Sequence, residues 1–154
     1  MSEGTAPKPA ILVSACLLGV RCNHRGGASP SDAAIALGDR YRVVAVCPET
    51  MGGLPTPRPA AELQPDGRVV TADGADVSDA YRRGARATAD VAHAAGAKEA
   101  VLKARSPSCG CHSVYDGTFS QRLVPGEGMT ASALRAAGVR VRSEEDLEED
   151  EGRR

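Results

Sequence analysis

The chain contains no tryptophan, one phenylalanine and three tyrosines. With aromatics at 3% of the residues, the rings on which single-stranded nucleic acids stack their bases are scarce, and the aromatic class of strand binder is excluded. Charge of one sign is also lacking, because the formal net charge is -1. That is far from the basic stripe of a nucleic-acid binder, so no nucleic-acid polymer is expected as a partner. No run approaches the roughly 18 consecutive apolar residues of a membrane span, and residues 1–9 lack the apolar stretch of a signal peptide. No membrane association and a cytoplasmic location are therefore expected, while nothing in the sequence sets the oligomeric state.

What is present is an aliphatic chain, 42% hydrophobic over 154 residues. That length supports a single domain burying about 68 to 70% of its unfolded surface. Residues 1–9 are polar and broken by two prolines, which predicts a flexible lead-in to a domain over residues 10–143. Residues 144–154 hold 7 of the 20 acids and 2 of the 19 bases. They read as a solvated or disordered acidic C-terminal tail. The remainder, with 17 bases against 13 acids, carries +4, enough to draw a small anion to a site.

Apolar runs at residues 11–15, 41–46 and 99–103 predict strands, and Val139 and Val141 mark a last one. Between them, Ser29-Pro30-Ser31 opens a helix ending at Gly38, Asp76 caps a long helix stopped by Gly96, and Thr130 caps a helix ending at Gly138. Pro65-Asp66-Gly67 predicts a small hairpin within residues 62–71. Residues 48–59 carry Gly52, Gly53 and prolines 55, 57 and 59, which predicts an extended wall without regular structure. Asp116-Gly117 predicts a turn and residues 118–124 a weak strand. Strands alternating with helices imply an α/β fold, a single-domain sandwich with a mostly parallel, Rossmann-like sheet and a small β-hairpin.

Three of the five cysteines follow apolar strands: Cys16 and Cys47 directly, Cys109 after Arg105-Ser106-Pro107-Ser108. In an open parallel sheet the ligand crevice lies beyond the carboxyl ends of the strands, so thiols distant in sequence can meet there. An odd number of cysteines in a reducing compartment suits metal binding better than a disulfide framework. Structural zinc usually takes short Cys-x-x-Cys pairs, whereas these thiols lie 31 and 62 residues apart. The spacing favours a cluster assembled by the fold, and three ligands leave one position open for chemistry. Cys22 and Cys111 are further thiols, either of which would close that position.

Glu49, two residues after Cys47, is placed to act as a general acid or base, or else to pair with Arg58 or Arg105. Ser106 and Ser108 are hydrogen-bond donors for a ligand as well as ordinary turn residues. Arg58, Lys103 and Arg105 suit a carbonyl or phosphate of a substrate. His24 and His112 stand on the same loops and are assigned no role in the chemistry.

The segments Ser14-Ala15-Cys16-Leu17-Leu18-Gly19, Cys47-Pro48-Glu49 with Gly52 to Arg58, and Lys103 to Gly110 closely resemble the thiouracil desulfidase family. The resemblance extends from about Ile11 to Glu145. It implies an oxygen-sensitive [4Fe-4S] cluster held by Cys16, Cys47 and Cys109, with Glu49 as the proton-transfer residue and a serine of the 106–108 segment as a partner for substrate. The implied reaction is non-redox desulfuration of a small thiolated pyrimidine, 2- or 4-thiouracil or its nucleoside or nucleotide, to the oxo base with release of hydrogen sulfide. Two departures stand out: Cys22-Asn23-His24-Arg25-Gly26 replaces a Tyr-Asp-Gly-like run, and Cys111 stands where serine is more usual. The competing reading is a non-catalytic metal-binding or redox-sensing module with zinc or a closed four-thiolate cluster.

Overall fold

The computed structural model describes residues 7–152. Most of the lead-in expected over residues 1–9 lies outside them; within them, residues 7–9 are exposed coil. Strand β1 (Ala10–Ser14) is buried along its whole length and runs into a 3-10 turn at Ala15–Leu18. Helix α1 (Asp32–Ile35) begins where the Ser31 hydroxyl accepts from the Ala34 amide, and a 3-10 turn extends it to Asp39. There follow β2 (Arg42–Val46), a one-turn helix α2 (Pro48–Met51), the hairpin of β3 (Ala61–Leu63) and β4 (Val69–Thr71), and the long helix α3 (Ser78–Ala95). Then come β5 (Glu99–Leu102), β6 (Ser113–Tyr115), β7 (Leu123–Pro125), α4 (Met129–Ala136), β8 (Arg140–Ser143) and α5 (Glu144–Gly152).

The main sheet is parallel, in the order β2-β1-β5-β8. The chain winds from β1 to β2 on one side and then crosses to β5 on the other, so the topological switch point falls between β1 and β5. One face packs Leu12, Ala100, Leu102 and Val141 against α3 and α4 through Ala92, Ala131 and Leu134. The opposite face packs Ile11, Val13 and Val101 against Ala33 and Ala34 of α1 and Leu147 of α5. The strands read as continuous apolar runs because both faces are covered.

Three expectations are corrected. The acidic end is not wholly a solvated tail: α5 joins the second layer through Leu147 in the core and Glu144, 6% exposed, while residues 148–151 are exposed and residues 153 and 154 lie outside the described ones. Ser143 and Asp146 form a capping box, the Ser143 amide donating to Asp146 Oδ2 at 2.9 Å and the Asp146 amide to Ser143 Oγ at 3.3 Å. The wall at 48–59 contains α2, because Pro48 sits in the first turn, where no amide donor is needed. The strand expected at 118–124 shrinks to β7, because Phe119 (φ 59°) and Gln121 (φ 61°) adopt left-handed backbone incompatible with a strand. Helix starts also shift: Gly128, not Thr130, precedes α4, and Asp76 accepts from the Ser78 amide ahead of α3.

Helices α2 and α3 meet backbone to backbone. A Cβ on Gly84 would collide with the Pro48 carbonyl, and one on Gly52 with the Ala80 carbonyl. Neither backbone can yield without separating the helices. Gly84→Ala is expected to destabilise the protein by about 1 to 3 kcal/mol. Its Tm should fall by roughly 2 to 4 °C for each of those kcal/mol in a calorimetric scan, and an unchanged Tm would refute this packing.

Candidate active site

Cys16, Cys47 and Cys109 all border one cavity of about 570 Å³ beyond the carboxyl ends of β1, β2 and β5. These three strands are adjacent in the sheet, which is why residues so far apart in sequence converge. Cys16 lies in the 3-10 turn after β1, whose end is set by Gly19 in left-handed conformation (φ 98°). Cys47 precedes α2, in extended conformation. Cys109 is 3% exposed and is held by a tight turn in which Ser106 Oγ accepts from the amides of Ser108 and Cys109, each at 3.0 Å. That turn is fastened to α4, the Thr130 amide donating to the Ser108 carbonyl at 2.8 Å.

Burial pushes the Cys16 thiol up to about 11, partly opposed by the Lys103 charge. Burial and then Glu49 push Cys109 up to about 12, opposed by hydrogen bonding from Ser14 and Ser108. Both are thiols at neutral pH in the metal-free protein, so a metal binding them displaces protons. Unfolded thiols ionise near 9.0, so the native state holds protons that the unfolded state releases above that pH. The metal-free protein should therefore lose stability from about pH 9 upward, by up to about 1.4 kcal/mol per pH unit per thiol. Urea midpoints between pH 7 and 10.5 check this; a flat profile would show that these thiols are not desolvated.

Glu49 stands in the first turn of α2 and borders the cavity. Its Oε2 accepts from Tyr81 Oη at 2.8 Å and from Arg58 Nε at 3.3 Å. Burial, with Glu49 close by, raises the Tyr81 hydroxyl above its usual range, so it remains a donor. Among the described residues no hydrogen bond reaches Oε1. Arg58 directs its remaining donors to the carbonyls of Pro55 (3.2 Å) and Cys22 (3.0 Å) and to Thr56 Oγ1 (3.1 Å). Its guanidinium thus braces Glu49 and the 22–26 loop. Lys103 Nζ binds Glu144 Oε2 at 3.0 Å, and Arg105, in left-handed backbone (φ 71°), binds Glu145 at 2.7 Å. Both cations border the cavity at the start of α5.

The two serines part company. Ser106 borders the cavity; Ser108 does not, being 1% exposed with its hydroxyl 2.8 Å from Thr130 Oγ1. The spare thiols part likewise: Cys22 borders the cavity, while Cys111 is buried outside it. His24 is a cavity residue and His112 is not. Sequence reasoning missed Ser14, whose hydroxyl accepts from the Lys103 amide at 2.9 Å and donates to Cys109 Sγ at 3.6 Å. It also missed Tyr81, Tyr115 and Phe119. Tyr115 and Phe119, two of the four aromatic residues, border the cavity. The loop carrying Phe119 is anchored by Glu62 Oε1, which accepts from the amides of Gly117 (2.9 Å) and Phe119 (3.1 Å).

Soft sulfur donors in a cavity of this volume, larger than one ion requires, fit an iron-sulfur cluster with space for a small planar ligand beside it. Fold and site thus define a class: an α/β protein with a thiol-lined crevice at the switch point of a parallel sheet. Within that class, the model of the family described as 2-thiouracil desulfurase matches residues 11–146. The chain is 41% identical over 146 residues to the uncharacterized protein YbbK of Bacillus subtilis (strain 168), covering 89% of this chain and 97% of that protein. It is 44% identical to the [4Fe-4S]-dependent thiouracil desulfidase TudS, whose solved structure matches with a TM-score of 0.85 over 92% of this chain and 95% of that one. The chain belongs to the 2-thiouracil desulfurase family. No helix among the described residues is long and apolar enough to cross a membrane.

Proposed function

We propose that this chain is a [4Fe-4S]-dependent desulfidase that converts a thiolated pyrimidine, 2- or 4-thiouracil or its nucleoside or nucleotide, to the oxo base. Water supplies the oxygen, sulfur leaves as hydrogen sulfide, and no electrons are exchanged. The observation that carries this reading is the convergence of Cys16, Cys47 and Cys109 from three adjacent strand ends on one cavity beside Glu49. Those thiolates hold the cluster, which when bound supplies an open, soft Lewis-acidic iron that prefers thione sulfur to carbonyl oxygen.

The remaining work falls to the chain. Glu49 takes the proton of the attacking water on Oε1, while Arg58 and Tyr81 fix the carboxylate through Oε2. Ser106, whose oxygen already accepts two amides, has its hydroxyl proton free to donate to the pyrimidine ring. Tyr115 and Phe119 supply rings at the cavity for a planar base, and Lys103 and Arg105, each paired with a glutamate of α5, supply donors at its edge. Ser108 acts from behind, through Thr130 and α4.

A closed, non-catalytic four-thiolate site is the second reading, and one observation gives it a specific form. The thiol available to close the site is Cys22, which shares the cavity, and not Cys111. One experiment separates the two readings: anaerobic reconstitution with iron and sulfide, an iron count, and an assay of sulfide release from 2- and 4-thiouracil. About four irons per chain with turnover supports the desulfidase. The same iron without turnover of any thiopyrimidine, together with gain of activity in Cys22→Ser, supports the closed site, and tightly bound zinc without iron refutes both cluster readings.

A further inference from the structure

Cys111, His112 and Asp146 form a second group of metal-ligating side chains, outside the cavity. One donor atom from each, Sγ, a ring nitrogen and a carboxylate oxygen, lies within 4.8 Å of the other two. Cys111 is a free thiol buried to 3% exposure. It belongs to the core cluster that includes Ala131 and Leu134, with the carboxylates of Asp146, Glu144 and Glu127 and the guanidinium of Arg135 nearby. Arg135 is itself bound by Glu127, and Glu144 is committed to Lys103 and the Ala104 amide. What sets this thiol apart from an ordinary core cysteine is a ring nitrogen and a carboxylate oxygen within reach of its sulfur.

From this juxtaposition we infer that Cys111, His112 and Asp146 bind one divalent zinc ion, independently of the cluster site, with solvent as the fourth ligand. Cysteine sulfur, imidazole nitrogen and carboxylate oxygen are the three protein donors zinc takes in tetrahedral sites. Bond lengths of about 2.0 to 2.3 Å require donor atoms roughly 3.3 to 3.8 Å apart. The thiol sulfur, within 4.8 Å of the other two donors, closes on the ion by about 1.3 Å at most. His112 Nε2, now 2.8 and 3.0 Å from the two Asp146 oxygens, opens by about half an ångström. The His112 side chain, 60% exposed, is free to do so. Asp146 is already oriented by the Ser143 amide at 2.9 Å, the outer hydrogen bond that ligating carboxylates usually carry. Harder cations are disfavoured by the thiol, which selects zinc over magnesium or calcium.

The position gives the ion a structural consequence. It joins the loop that carries Cys109 to α5, the helix whose first residue, Glu144, holds Ala104 and Lys103. Zinc bound there ties the loop that follows Cys109 to the C-terminal helix, and it stabilises the native state because only the folded chain brings the three donors together.

The test uses cluster-loaded protein under anaerobic conditions, dialysed against micromolar zinc chloride and then against metal-free buffer, with zinc and iron counted per chain. One zinc is expected with iron unchanged, together with a rise in Tm. Cys111→Ser and His112→Gln should each lose that zinc and keep their iron, and Asp146→Asn should weaken zinc binding at least tenfold. Absorption at the zinc edge should show one sulfur among lighter ligands. Failure to retain zinc, undiminished zinc in Cys111→Ser, or zinc gained only as iron is lost with a three-sulfur shell would overturn the inference. The difference of one zinc between the wild type and Cys111→Ser is read whether or not iron is loaded, so failure of the desulfidase reading leaves this test intact.

Discussion

Cys109→Ser protein, purified and reconstituted without oxygen, is expected to hold less than about a tenth of the wild-type iron and to release no sulfide from either thiouracil. Serine differs from cysteine by one atom, yet its hydroxyl does not ionise in this range and is a hard donor for which iron-sulfur clusters have little use. The substitution should be tolerated structurally, since the turn is held by Ser106 Oγ and the backbone of α4 and not by the Cys109 side chain. Loss of iron without loss of helicity is therefore the result expected by circular dichroism and metal analysis. Cys16→Ser and Cys47→Ser should behave alike, because each removes one of three donors. Cys22→Ser and Cys111→Ser should retain the iron. Full iron in Cys109→Ser, or its loss in Cys22→Ser, would assign the ligands differently.

Glu49→Gln is expected to lose turnover by about 10²- to 10⁴-fold, the usual worth of a positioned general base, while keeping its iron. The amide preserves the shape of the carboxylate and can still accept from Arg58 and Tyr81. It then presents an NH2 where Oε1 stood, and an NH2 cannot take a proton from water. Tyr81→Phe leaves the base in place but loosens it. A hydrogen bond to a charged group is worth about 1.5 kcal/mol, so kcat should fall roughly tenfold with KM little changed. Activity of Glu49→Gln within a few-fold of wild type would remove Glu49 from the mechanism and leave it as the partner of Arg58.

These two predictions differ in how far they were readable from the chain. The cysteines announced themselves because a short apolar run followed by a breaker-rich segment is a local pattern, and crevice ligands sit at the ends of such runs. Glu49 followed from its place two residues beyond Cys47. Tyr81 and Ser14 did not, because one looks like a core position at helical spacing and the other like the last residue of a strand. Only the packing of α2 on α3 brings the Tyr81 hydroxyl to Glu49. The acidic end was misread for a related reason. Its charge outweighed two local cues, the Ser143-Glu144-Glu145-Asp146 capping box and the single Leu147 that docks on the sheet. Phe119 was lost because left-handed backbone at a non-glycine residue leaves no mark in a sequence.

By itself, the sequence determined the alternation of strands and helices, the parallel sheet and the residue types of the site, because periodicity, capping and turn chemistry act over a few neighbouring residues. The tertiary structure alone decided which of the five cysteines share a cavity, which serine reaches it and what holds Glu49. Those depend on the strand order β2-β1-β5-β8 and on the backbone contact of Gly84 with Pro48. Contacts between segments tens of residues apart are set by how the layers pack, and no local pattern in the chain encodes them.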